Sequence, residues 1–156
     1  MCIFFLKKIF FRSLYEAASR DIREKRGEEM ELLKSEGCFS TEKEYNRLYI
    51  SGSNKRTFSP SELMIASIAS CSGEVLLSTL ERKGIVITDM KIETKEKRST
   101  GLIKRLEHVH LHYLLRGTDL KEEEVKKVIQ LSKKVCPMIQ SVQGSIGITE
   151  SFSIHK

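Results

Sequence analysis

Hydrophobic and polar positions divide this chain into stretches of two different periods. From Leu63 to Leu80 nearly every residue is apolar or small, and the first half has almost no polar stripe. That pattern predicts a helix buried nearly all round. Its start is marked by Ser59-Pro60-Ser61-Glu62. Ser59 can cap the first turn, Pro60 suits the first helical position, and Glu62 can reach back to complete a capping box. Ala66, Ser67, Ala69, Ser70, Ser72 and Gly73 are all small, so other elements can approach this helix closely. The pattern ends near Gly84. A second helix is expected from Asp119-Leu-Lys-Glu122, which repeats the capping-box spacing, to about Val135; Pro137 restarts a short third one.

The remaining segments alternate. Glu31 to Phe39 and Tyr45 to Ser51 read as short strands around a polar Ser-Thr-Glu-Lys-Glu turn, followed by a loop at Ser51-Gly-Ser-Asn-Lys-Arg. Ile85 to Arg98 and Arg105 to Arg116 read as two strands joined by a polar loop around Gly101. Ser145 to Ile154 closes the chain as a strand with Ile146, Ile148 and Phe152 on one side. Strand pairs flanking helices define an α+β fold rather than an alternating parallel one.

Residues 1–29 follow a different rule from the domain expected over residues 30–156. Ile3-Phe-Phe-Leu6, Ile9-Phe-Phe11 and Leu14 are apolar, with Lys7, Lys8, Arg12 and Ser13 at helical intervals. The apolar runs fall far short of the roughly 20 residues that span a bilayer. A basic amphipathic helix on an anionic membrane surface is one reading. The favoured one is that the natural start is Met30, because Lys25-Arg-Gly-Glu-Glu29 can be encoded almost wholly by purines, as a ribosome-binding site would be. A membrane-surface partner is therefore not expected.

Composition narrows the function classes. With 156 residues, 40% hydrophobic and 31% charged, the chain can build one sizeable core. The formal charge of +6 is spread among acidic residues, as in Lys91-Ile-Glu-Thr-Lys-Glu-Lys-Arg98, which is a solvated face and not a nucleic-acid footprint. Four cysteines without a secretory signal point to a reducing cytoplasm, where any disulfide is transient and chemical.

Two of those cysteines occupy informative places. Cys71 lies near the middle of the long apolar helix, and Cys136 stands directly before Pro137 at a helix break. Ionising a thiol at neutral pH takes a downward shift of about two units, or about 2.7 kcal/mol. Mid-helix, the dipole offers Cys71 little and burial opposes ionisation, so an adjacent guanidinium must supply the difference. Glu74, one turn on, works against this unless it is itself paired with that arginine. Cys136, as the cap of the next helix, would face free backbone N–H groups that favour thiolate. Two inert cysteines in a tight core fit the same pattern, and the residues alone leave both readings open. Cys38 and Cys2 carry no supporting pattern. His108, His110 and His112 share one strand face, but no local carboxylate or cysteine completes a metal set, so a polar sheet face is expected there.

The run Ser59-Pro-Ser-Glu-Leu-Met-Ile-Ala-Ser-Ile-Ala-Ser-Cys71, with Glu81-Arg-Lys-Gly84, the His-Leu-His-Tyr-Leu-Leu-Arg-Gly117 strand and Cys136-Pro137, resembles the OsmC/Ohr superfamily. The resemblance covers essentially Met30 to Ile154. It implies antiparallel sheets around a long buried helix, in an intertwined homodimer. It implies a thiol peroxidase for organic hydroperoxides, with Cys71 as peroxidatic and Cys136 as resolving thiol. No bound cofactor is implied, only an external dithiol reductant such as a lipoyl group. The alternative is a dimer that binds a small hydrophobic ligand without catalysis. The family's peroxidases place a glutamate directly after the helix-opening proline; here that position is Ser61, and Glu62 comes one residue later, about 100° around the helix. Arg47 is the nearest candidate, by location, for the family's arginine.

Overall fold

The computed structural model describes residues 30–155 apart from 36 and 45, so the expectations for residues 1–29 lie outside the described residues. The chain divides into two compact units, one ending at Ile50 and one running from Ser51 to Lys156.

In the first unit, β1 (Leu33–Ser35), β2 (Cys38–Lys43) and β3 (Asn46–Ile50) form an antiparallel sheet in that order. The predicted strand from Glu31 to Phe39 is broken by Gly37, whose φ of 68° makes a tight turn between β1 and β2. The polar residues expected to form the turn are strand instead: Ser40, Thr41 and Glu42 pair with Tyr49, Leu48 and Arg47. The reversal falls at Glu44, which carries the positive φ of 51°.

The second unit places three helices on one face of a three-stranded sheet. The long helix α1 runs Pro60–Arg82, and the strands are β4 (Ile87–Arg98), β5 (Leu106–Gly117) and β6 (Gly147–His155); α2 (Glu122–Val135) and α3 (Pro137–Val142) lie between β5 and β6. β4 and β5 pair antiparallel, whereas β6 joins β5 in parallel, because the two intervening helices return the chain to the end of the sheet where β5 began. Alternation along β5 sends Val109, Leu111, Tyr113 and Leu115 inward at 0% exposure. Each such aliphatic side chain contributes about 1.5–3 kcal/mol of burial.

The cap of α1 is as expected. Glu62 N–H donates to Ser59 Oγ (3.2 Å), and Ser59 N–H donates to Glu62 Oε2 (2.7 Å). The helix ends in a paired closing motif: Gly84, at φ 73°, donates its N–H to the Glu81 carbonyl, and Ile85 to that of Leu80. Two expectations change. In the single chain α1 is not buried all round: Ile65, Ile68, Ala69, Ser72, Gly73, Leu76, Thr79 and Leu80 form one inward stripe, while Met64, Ala66, Ser70 and Glu74 are exposed. Asp119 does not cap α2. It occupies a left-handed turn (φ 55°), and the helix starts at Glu122 with three consecutive glutamates in the first turn complementing the helix dipole.

Ser59→Ala removes the hydroxyl end of the capping box and should cost about 1 kcal/mol. Urea unfolding checks this, and an unchanged midpoint would contradict it.

A candidate two-thiol active site

Cys71 and Cys136, 65 positions apart, meet at the junction of α1 with the α2–α3 break. The Cys136 thiol donates to the Cys71 sulfur, with 3.4 Å between the Sγ atoms. Both are free cysteines. A disulfide has its sulfurs about 2.05 Å apart, so closing this gap needs a movement of roughly 1.4 Å.

Three successive residues of α1 create this approach by facing three different elements. Cys71 faces Cys136. Ser72, about 100° further round, faces the sheet, where its Oγ is 2.8 Å from the Tyr113 hydroxyl and donates to Glu150 Oε1 at 3.1 Å. Gly73 faces β4 so closely that a Cβ there would stand 2.7 Å from Ile92 Cδ1. A larger residue than glycine there would have to displace the ends of the Ile92 and Met90 side chains. On the other side, Pro137 cannot continue α2, which forces the break that turns Cys136 inward.

The two thiols differ in environment. Cys71 is half-buried, so a small oxidant can reach it, while Cys136 is fully buried. Burial pushes the Cys136 thiol up to about 12, against the backbone N–H groups of Ile139 and Met138, which pull it down; the neighbouring Cys71 adds to the rise. Cys136 does occupy the cap of α3, as expected, but its side chain makes no cap hydrogen bond. The expectation that the cap would favour thiolate is corrected: desolvation outweighs the amides.

Other residues singled out in the sequence have partners of their own. Glu62 is taken up by the capping box, and the Ser59 N–H holds its carboxylate below the usual range. It precedes Cys71 by nine residues, about 13 Å along the helix axis. Arg47, on β3, makes an ion pair with Glu42 at 2.6 Å. Within the second unit, Cys136 is the only hydrogen-bond partner of the Cys71 sulfur among the described residues. Ser61, directly after the helix-opening proline, receives a hydrogen bond from Arg98 Nη2 at 2.8 Å, and Arg98 is also paired with Glu96. Neither composition nor spacing marked Arg98, because it sits at a strand end among other charges.

His108, His110 and His112 do share one face. The two ring nitrogens of His110 lie within 2.9 Å of Thr149 and Ser151, and those of His112 within 3.1 Å of Ser151 and Ser153. Among the described residues no three His, Cys, Asp or Glu side chains gather to hold a metal. A cleft of about 650 Å³ opens beside α3, with Ile139, Ile146 and Ile148 inside a polar rim that includes Lys133 and Gln140.

Comparison with known proteins agrees with this architecture. Residues 52–151 match the family model described as OsmC-like protein, and the chain belongs to that family. The chain is 25% identical over 97 residues to Protein YhfA of Escherichia coli K12, covering 62% of this chain and 72% of that one. A hypothetical protein from Aquifex aeolicus superposes with a TM-score of 0.72 at 27% identity, covering 83% of this chain and 97% of the other. An organic hydroperoxide resistance protein from Elizabethkingia anophelis shares the fold at TM-score 0.65 and 19% identity, over 84% and 99% of the two chains.

The raised Cys136 value sets a pH dependence. The folded state favours the neutral thiol, so this contribution to stability is complete below about pH 9 and is lost as pH rises toward 12. The stability advantage of wild type over Cys136→Ala should therefore shrink between about pH 9 and about pH 12, measured by urea unfolding. An advantage that stays constant would contradict the burial of a neutral thiol.

Proposed function

We propose that this protein is a thiol peroxidase that reduces organic hydroperoxides through a Cys71–Cys136 cycle, working as a homodimer in a reducing cytoplasm. The observation that carries the reading is the 3.4 Å approach of two free thiols, one reachable and one buried. The Cys71 thiolate attacks the terminal peroxide oxygen, the O–O bond breaks, the alcohol leaves after taking up a proton, and Cys71 becomes a sulfenic acid. The Cys136 sulfur then attacks the Cys71 sulfur. An S–S bond forms, the S–O bond breaks, and the hydroxyl leaves as water with the proton that Cys136 gives up. An external dithiol, of the lipoyl kind, returns the pair to thiols by exchange.

The assignment of roles follows from the environments. Cys136, pushed up to about 12, is a poor attacking group for peroxide but is protected from over-oxidation until its neighbour has reacted. The homodimer is supported by the outward face of α1, where Met64 stays 45% exposed beside the small residues Ala66 and Ser70. A second copy against that face would also enclose Cys71. Arg98, which bonds the helix-opening Ser61 about 15 Å along the axis from Cys71, does not supply the positive charge that Cys71 needs within one chain. The similar fold of an organic hydroperoxide resistance protein supports the substrate class.

Cys71→Ser should abolish consumption of an organic hydroperoxide. Cys136→Ser should react once and stop at a sulfenic acid that a dimedone-type probe traps. Unchanged turnover in both variants would overturn the proposal. Saturable binding of an apolar ligand by a protein inert to peroxide would establish the non-catalytic alternative instead.

A further inference from the structure

Ser72, Tyr113 and Glu150 form a closed polar triangle between α1 and the sheet. The Tyr113 hydroxyl donates to Glu150 Oε1 at 2.7 Å, Ser72 Oγ donates to the same oxygen at 3.1 Å, and the two hydroxyl oxygens are 2.8 Å apart. Ser72 and Tyr113 are both 0% exposed. Glu150 is half-buried, has no ion-pair partner among the described residues, and takes an inward position on β6 between Ile148 and Phe152. An acid with only hydroxyl donors is a costly choice where the strand pattern calls for another aliphatic residue. The thiol cycle gives none of the three a role.

We propose that this triangle is the positioning device of the thiol pair: Glu150, through Ser72 and Tyr113, fixes the roll of α1 so that Cys71 faces Cys136. The proposal rests on the two-thiol reading of the site. Apolar packing is non-directional, so the aliphatic stripe of α1 resists rolling only weakly. Hydrogen bonds weaken steeply as their angle closes, so two of them converging on one oxygen define the rotation. A side-chain atom lies roughly 5–6 Å from a helix axis, so a 10° roll displaces it by about 1 Å. That is comparable with the roughly 1.4 Å that the sulfurs must still close. Because Ser72 is the residue next to Cys71, the constraint acts with almost no intervening backbone. Burial above all keeps the Tyr113 phenol neutral, so its hydroxyl stays a donor to Glu150.

The test is the equilibrium of the Cys71–Cys136 disulfide in the full chain against a dithiothreitol redox buffer, which needs no peroxide. The double variant Ser72→Ala/Tyr113→Phe should weaken disulfide formation about tenfold or more. Glu150→Gln, which keeps an acceptor oxygen, should restore most of what Glu150→Ala loses. The first oxidation of Cys71 by hydroperoxide should be unchanged in each, because the triangle does not touch the oxidant. If the double variant fails to fold, Tyr113→Phe alone, which removes a single oxygen, is read in its place with a loss of at least threefold expected. A lower melting temperature with a wild-type disulfide equilibrium would overturn the proposal and leave the triangle a structural feature. Failure of wild type itself to form the disulfide would instead overturn the two-thiol reading.

Discussion

The approach of one buried thiol to one half-buried thiol is the interaction on which the rest of this structure depends. It joins the middle of α1 to the break between α2 and α3, two places that share no local sequence. Apolar packing alone would bring these helices together in many registers. What selects this register is a level of α1 where Cys71, Ser72 and Gly73 each meet a different element, with Gly73 packed closely on Ile92. The break at Pro137 supplies the other half, because it ends α2 and leaves Cys136 facing inward.

The asymmetry between the sulfurs follows from burial. A thiol with no exposed surface pays a desolvation penalty on ionising that two backbone amides do not offset, so Cys136 stays neutral. Cys71, at the edge of the exposed face of α1, is open to a small molecule. A neutral partner beside an accessible one suits a cycle in which only one sulfur meets the oxidant.

Much of the fold was legible in the chain because its signals are local. Ser59, Pro60 and Glu62 gave the start of α1 through capping chemistry, and alternation gave β4, β5 and β6. Errors arose where one residue overrides a pattern. Gly37 split the first predicted strand, and Asp119 took a left-handed turn despite its capping spacing. In the single chain α1 is less buried than its pattern implied, because a sequence reports that a face is apolar or small and not what covers it. Cys71 and Cys136 could be marked by type and place, but their proximity came from tertiary structure. The Ser72–Tyr113–Glu150 triangle left one readable trace, a carboxylate interrupting Ile146, Ile148, Phe152 and Ile154 in the last strand. Arg98 left none, since a charged residue at a strand end is ordinary.

The central claim is that these two sulfurs form one reactive unit, and peptide mapping after a single oxidation tests it most directly. Reduced protein treated with one equivalent of an organic hydroperoxide should lose two hydrogens in intact mass, and digestion should recover the Cys71 and Cys136 peptides joined. Recovery of both peptides as free thiols, or of Cys71 driven to sulfinic acid with Cys136 untouched, would contradict it.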